Sequence, residues 1–270
     1  MFLIFDTYAG LCNQMYDIQA AINFCIINNI FFSFRYASLR RNHDLTKWYN
    51  IDFCELFDDN FIETTLYVPF KKITITNENT FNLDCNLRCI EWLNREKALY
   101  PQLDRIGEQF IILRQFWSIY QNFKNIKNIY PKLNPSKRLY DIYKSISQNL
   151  PEKYNLIHYR YEEDFIAHFK IKNHPKLCEI ITNNFTDNDF PIYIATYDIK
   201  NIPKKYFSKD LSEFKNILYK TDKYNYDLNY EELAFIDFMI GKNAQHVIGH
   251  SKSSFSVILN SSHNTNNYYD

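Results

Sequence analysis

Three short stretches of the sequence group side chains in ways that serve chemistry. The first is Gly10-Leu11-Cys12-Asn13-Gln14, just after the apolar run Phe2–Phe5. A glycine turn lets the backbone pass close to a ligand. It also puts Asn13 and Gln14 at the start of a helix, where Asn13 either contacts that ligand or caps the helix amides. The second is His158-Tyr159-Arg160-Tyr161-Glu162-Glu163-Asp164, after Leu156-Ile157. Strand alternation places His158 and Arg160 on one face as the strand ends. An arginine there can grip a phosphate through two parallel N–H bonds, which lysine cannot match. His158 can bond a phosphate, a sugar hydroxyl or a base. The acidic trio would repel a phosphate, so it turns away, serves another group, or belongs with Arg160 to a surface salt-bridge cluster. The third runs from Glu231 to Asn260 and holds Asp237 and Gly249-His250-Ser251-Lys252-Ser253-Ser254-Phe255-Ser256. A strand ending at Ile248, a glycine, and serines opening a helix offer amides and hydroxyls to an anion; otherwise the serines simply cap the helix. Asp237 stands among Phe235, Ile236, Phe238 and Met239. A carboxylate buried there must be paired or bind something, unless its position is half-exposed.

The elements that position these motifs follow from periodicity. Phe2–Phe5 reads as a strand, Met15, Ile18, Ala21, Ile22, Cys25 and Ile26 as one helix face, and Ile30–Phe34 as a strand. Strand, helix, strand is a βαβ unit and favours a parallel sheet. From Tyr36 to Leu150 the pattern is less regular, with a strand expected at Lys72–Thr76 and helices at Glu108–Phe123 and Ser136–Gln148. Pro151 is a boundary candidate, dividing the chain into domains 1–150 and 151–270. Beyond it come strands at Tyr154–Tyr159, Ile192–Thr196, Ile217–Lys220 and Gln245–Ile248. Helices are expected at Pro175–Asn184, Tyr230–Lys242 and from Ser253. The expected fold class is α/β: two facing Rossmann-like domains with a ligand cleft between them. Ligands of open α/β sheets sit beyond the carboxyl ends of the strands, which is where all three motifs fall.

Composition excludes several alternatives. The chain has 270 residues and 4 glycines, where average usage would give about 19. That leaves no room for a glycine-rich phosphate loop. With 31 basic and 31 acidic side chains, no cationic excess points to nucleic acid or a membrane surface. No apolar stretch is long enough to span a bilayer. The segment Met1–Asp6 lacks a signal peptide's basic start, so the expected location is the cytoplasm, or a host's cytoplasm if the source is viral. Six cysteines form no C-x-x-C pair and read as reduced structural thiols, Cys85 and Cys89 included. Asp187-Asn188-Asp189 could serve a metal-dependent GT-A glycosyltransferase as D-x-D, but its turn-rich setting before Pro191 reads better as a loop. Asn264–Asn267 reads as surface filler or a frayed tail. Trp48, Trp92 and Trp117 either stack on sugars or pack in the core.

Taken together, Gly10-x-x-Asn13-Gln14, His158-x-Arg160 and Ser253-Ser254-Phe255-Ser256 resemble the fucosyltransferase superfamily of protein O-fucosyltransferases, α1,6-fucosyltransferases and plant O-fucosyltransferase-like proteins. His158–Asp164 is similar to the plant branch's His-Leu-Arg-Tyr-Glu-Lys-Asp, and Pro191–Thr196 to the family's next strand. The resemblance covers most of residues 151–260 and about 30 residues at the start. It implies a GT-B arrangement with the acceptor half first, and an inverting, metal-independent transferase without cofactor. It implies GDP-L-fucose as donor and a glycan or glycoprotein as acceptor. It assigns Arg160 to the β-phosphate, and His158, Asp237, Ser253, Ser254 and Phe255 to the nucleotide, with Asp237 at the guanine edge. Asn13 falls to the sugar and leaving oxygen, and Gly10 and Gly249 to close backbone approach. Glu162, Glu163, Asp164 and His168 are all candidates for the general base. Cys12 departs from the family's usual glycine. A different donor such as UDP-L-rhamnose, or a non-catalytic glycan-binding relative, are the alternatives on the same fold.

Overall fold

The computed structural model describes residues 2–28, 31–41, 44–60, 80–84, 110–114, 133–186, 190–197, 216–219 and 227–270. The expected strand Lys72–Thr76, Asp187-Asn188-Asp189, Cys85, Cys89, Trp92, Trp117 and Gly107 lie outside them. The chain divides into two compact units, Met1–Tyr140 and Asp141–Asp270.

The first unit opens with strand β1 (Phe2–Asp6), helix α1 (Leu11–Asn28) and strand β2 (Phe31–Phe34). An antiparallel pair follows, β3 (Tyr36–Arg41) with β4 (Asp44–Asp52), then the short helix α2 (Phe53–Leu56), β5 (Thr80–Asp84) and β6 (Phe110–Arg114). The sheet order is β2-β1-β6-β5, and every pairing is parallel. The opening βαβ reading therefore holds. The helix expected over Glu108–Phe123 does not: Phe110–Arg114 is a strand between β1 and β5. Phe-Ile-Ile-Leu is a continuous apolar run, and a short run of that kind has no alternation to separate a strand from a helix. Helix α1 is buried nearly all round, polar Gln14, Asp17, Gln19 and Asn23 included. Burial drives the Cys12 and Cys25 thiols well above their ordinary range, so both behave as inert apolar groups.

Helix α3 (Lys137–Ser147) leads into the second unit. There β7 (Asn155–His158), α4 (Glu163–His168), α5 (Leu177–Asn184), β8 (Ile192–Ala195), β9 (Ile217–Tyr219), α6 (Tyr230–Lys242), β10 (Val247–Ile248) and α7 (Ser254–Ser262) follow in order. The sheet order is β10-β7-β8-β9, again all parallel. Alternation along β7 and β8 sorts the two faces. Ile157, Tyr159, Ile192 and Ile194 join Leu177, Ile180 and Ile181 of α5 in one core. His158 and Tyr193 point to the other face, against α7 and α6.

Gly241 is a contact point between α6 and α7. A Cβ there would lie 2.5 Å from Cδ2 and 3.3 Å from Cγ of Leu259, which is fully buried. Alanine favours a helix over glycine by about 1 kcal/mol, but overpacking a filled core costs about 1–3 kcal/mol. Gly241→Ala is therefore expected to destabilise by about 1–2 kcal/mol net, read as a lower urea midpoint at unchanged slope.

Candidate functional site

In the second unit the chemistry gathers at the carboxyl end of β7. His158 is 9% exposed. Its ring stacks on Phe255 at 4.2 Å, and Nδ1 lies 2.7 Å from Ser256 Oγ. The same hydroxyl accepts the His250 amide at 3.1 Å. Ser256 thus fixes the rotation of His158 and ties the second motif to the third. Phe255 is also edge-on to Phe238 of α6.

Two residues on, Arg160 reaches the start of α6. Its Nη1 donates to Tyr230 Oη at 3.0 Å and pairs with Glu162 Oε1 at 2.5 Å, while Tyr230 donates to the same carboxylate oxygen at 3.2 Å. Phe165 of α4 lies 5.3 Å beneath the guanidinium. Both members of the Arg160–Glu162 pair are largely buried, 17% and 13% exposed. Glu162 thus neither turns away nor lies in a surface cluster. It holds the arginine in place, and a guanidinium with five donors is not exhausted by one carboxylate. The candidate bases divide accordingly. Glu162 spends Oε1 on Arg160 and Tyr230, and its buried Oε2 has no hydrogen-bond partner among the described residues. His168 is exposed at the far end of α4, edge-on to Phe169. Glu163 and Asp164 supply the opening backbone of α4.

The serines open α7 as the sequence indicates. Ser253 occupies the N-cap, yet its side chain makes no capping bond, and it is buried. The simple capping role thus falls away for Ser253, and its hydroxyl stays available at the helix start, with Ser254 beside it. Gly249 packs directly against Ser256. A Cβ there would lie 2.5 Å from Ser256 Cβ and closer still to its Oγ, so the glycine makes room for Ser256.

Asp237 is 4% exposed, mid-helix in α6, and accepts from Tyr193 Oη at 2.9 Å. It is the paired buried carboxylate, tying α6 to β8. His250 is buried too. Burial holds it below its ordinary pKa, with nearby Asp270 opposing that shift. Its Nδ1 accepts the Lys252 amide, which fits the neutral ring.

The first motif stands by itself in the first unit. Helix α1 starts at Leu11, with Gly10 O accepting the Asn13 and Gln14 amides. Asn13 is therefore in the first turn, not at the cap. It is half-exposed, and its side chain makes no hydrogen bond among the described residues. Gln14 is the opposite case, fully buried with its amide bonded four times. Oε1 accepts from Thr7 Oγ1 and the Ser38 amide, and Nε2 donates to Ala9 O and Ser38 O. It locks the β1–α1 turn to β3. The strained residue of that turn is Ala9, at φ 74°, a left-handed conformation rarely held by alanine. Gly10 has room for a Cβ, 3.5 Å from the Arg40 guanidinium. Beside the turn, Tyr8 packs on Trp48, whose ring also carries Arg40. At the end of β1, Arg35 grips Asp6 through two bonds of 2.9 and 2.6 Å.

No family model matches the chain, and no curated protein matches it in sequence. Solved structures do match. POFUT1 in complex with GDP aligns with a TM-score of 0.61 at 11% identity, covering 99% of this chain and 98% of that one. POFUT1 in complex with GDP-fucose gives 0.58 at 13% identity, over 98% and 94%. The fucosyltransferase NodZ from Bradyrhizobium gives 0.53 at 10% identity, over 95% and 91%. The chain has a fucosyltransferase-like fold. That fold is mixed α/β with parallel sheets, as expected. No helix among the described residues is long and apolar enough to cross a membrane, and no metal-ligand cluster occurs among them.

Sequence reasoning passed over three residues that build the site. Ser256 was in view as part of a motif but carried no role. Tyr230 opens a helix with nothing to mark it as an arginine partner. Tyr269 lies just beyond the Asn-rich stretch Asn264–Asn267, with nothing in the sequence to mark it. Its hydroxyl accepts the Arg160 amide at 2.9 Å and donates to His158 O at 3.0 Å.

Proposed function

We propose that this chain is an inverting glycosyltransferase that moves L-fucose from GDP-L-fucose to a hydroxyl of a glycan or glycoprotein. The observation that carries the reading is the joining of His158 to the start of α7 through the His158–Phe255 stack and the Ser256 bond, with Arg160 two residues further on held by Glu162 and Tyr230. In this reading Arg160, the amides at the start of α7 and the Ser253 and Ser254 hydroxyls serve one diphosphate beyond the carboxyl end of β7. The fold's likeness to structures solved with GDP and GDP-fucose supports the choice of nucleotide.

In this reaction the acceptor oxygen forms a bond to the anomeric carbon of fucose as the bond to the β-phosphate oxygen breaks on the opposite face. Negative charge grows on the departing GDP. Arg160 and the α7 amides meet that charge without reorganising, so no metal ion or other cofactor is called on. In this reading residues 151–270 are the donor half, with His158 and Phe255 beside the nucleotide. A guanine edge read by Asp237 shares the carboxylate with the Tyr193 hydroxyl. Asn13, with its side chain unengaged, is the acceptor half's polar contact to the sugar. Glu163, Asp164 and His168 remain the candidates for taking the acceptor's proton, because Glu162 is committed to Arg160.

The test is thermal unfolding with GDP, UDP and their sugars. A ligand at a hundredfold excess over its Kd stabilises by about 2.7 kcal/mol, so GDP and GDP-L-fucose are expected to raise Tm by several degrees and UDP not at all. Stabilisation by UDP alone would overturn the nucleotide assignment.

A further inference from the structure

The last residues of the sequence are tied into the candidate site. Asn260, fully buried at the end of α7, has its amide satisfied on both sides. Nδ2 donates to Ser256 O and Asn267 O, and Oδ1 accepts from Thr265 Oγ1 and the Asn267 amide. The chain folded back by these bonds then runs beside Gly249. Gly249 N donates to Asn267 O at 3.2 Å, and Tyr269 N to Gly249 O at 2.9 Å. Tyr269 ends up 7% exposed within a box of rings, 6.0 Å from Tyr159, 6.1 Å from His174 and 5.6 Å from His250.

From there its hydroxyl reaches two backbone groups at once, His158 O and Arg160 N. Strand β10 ends at Ile248, level with Ile157, so it offers no ladder partner beyond that point. Buried backbone groups left this way need a partner from elsewhere. One phenol supplies both bonds, across 111 and 109 residues of sequence. It clamps the two-residue step over which the chain turns His158 toward α7 and Arg160 toward α6.

We propose that Tyr269 is a positioning residue for the donor site, setting through its hydroxyl the backbone on which His158 and Arg160 are presented. The proposal rests on the transferase reading, and its test is built to separate the two. Tyr269→Phe keeps the ring and removes only the clamp. Tyr154→Phe is the control: it removes an equally buried hydroxyl bond, to Ile240 O at 2.8 Å in the same unit, away from the site. Displacing a catalytic group by about 1 Å can cost about 10²-fold. In the full chain, Tyr269→Phe is expected to lower kcat for GDP-L-fucose hydrolysis by about 10- to 100-fold, with the donor KM within about threefold. The Arg160 amide should exchange with solvent deuterium at least about tenfold faster, since its acceptor is gone. Tyr154→Phe should change neither, whatever its effect on Tm. Wild-type kcat with unchanged Arg160 exchange in Tyr269→Phe would overturn the proposal, and so would an equal loss of kcat in Tyr154→Phe. If the wild type neither binds GDP nor hydrolyses the donor, the transferase reading falls, and the exchange arm alone decides for or against the clamp. Should Tyr269→Phe fail to fold, the unaltered chain still decides. The clamp requires the Arg160, Gly249 and Tyr269 amides to exchange through one common opening, and an Arg160 amide exchanging as freely as an exposed loop contradicts it.

Discussion

Replacing Arg160 by alanine is expected to lower sugar-nucleotide turnover by about 10²–10³-fold, the usual cost of losing one fixed donor to a developing oxyanion. The structure adds a second consequence. Arg160 is the partner of Glu162, and both are largely buried. Breaking a buried pair from one side costs about 3–5 kcal/mol, because the remaining charge is left uncompensated. Arg160→Ala alone is therefore expected to lose stability as well as turnover, and its inactivity would be ambiguous. Arg160→Ala with Glu162→Gln removes both charges and separates the effects. The double variant should regain most of the lost Tm and none of the activity. Arg160→Lys keeps the charge but loses the planar fork that meets Glu162 and Tyr230 and, in the proposed reaction, the phosphate, so it is expected to stay well below wild type. Steady-state donor hydrolysis and thermal unfolding of these variants check both parts. Near wild-type turnover in the double variant would remove Arg160 from the phosphate role.

The second large effect is expected at Gly249. A methyl group there meets Ser256 Cβ at 2.5 Å, and Ser256 Cα lies at 3.4 Å. Ser256 is fully buried at the start of α7 and holds both His158 and the His250 amide. It cannot swing aside without releasing those bonds. Overpacking of this kind costs about 1–3 kcal/mol, and each lost hydrogen bond adds about 1 kcal/mol. Gly249→Ala is thus expected to destabilise by about 3 kcal/mol and to lower Tm by about 10 °C. Donor hydrolysis should fall in parallel, because the His158 ring loses its rotational stop. Adding Ser256→Gly removes the clashing atoms and should restore part of the stability, less about 1 kcal/mol for glycine in a helix. It cannot restore the His158 contact. Differential scanning calorimetry and hydrolysis assays on the pair distinguish crowding from lost positioning. A stable, active Gly249→Ala would show that Ser256 is not wedged there.

What could be read from the sequence was what is local. His158-x-Arg160 lies within one strand end, and Ser253–Ser256 within one helix start, so chain order and alternation suffice to place them. The partners that give those residues their geometry are not local. Ser256 meets His158 across 98 residues, Tyr230 meets Arg160 across 70, and Tyr269 reaches back 109. No periodicity carries such contacts. Glu162 misled for a related reason: three acids in a row look like a solvated cluster until an arginine two residues away is seen to fold onto the first. The Asn-rich stretch before Tyr269 looked like a frayed end because Asn260, which pins it, belongs to the preceding helix. In the first unit, β6 reads as a helix from the sequence because its short continuous apolar run carries no alternation. The β3–β4 hairpin escaped notice because no Asn-Gly or Asp-Gly pair marks its turn. The scarcity of glycine proved informative in an unexpected way. Gly249 and Gly241 are kept because Ser256 and Leu259 occupy the space where their side chains would be.

The most direct test of the account is a hydrolysis screen of the full chain against GDP-L-fucose and a panel of other GDP- and UDP-sugars, run with and without a chelator. It needs no knowledge of the acceptor. GDP is expected to be released from GDP-L-fucose, unaffected by the chelator, and not in Arg160→Ala/Glu162→Gln. Turnover of a UDP-sugar alone, or activity that depends on manganese, would contradict it.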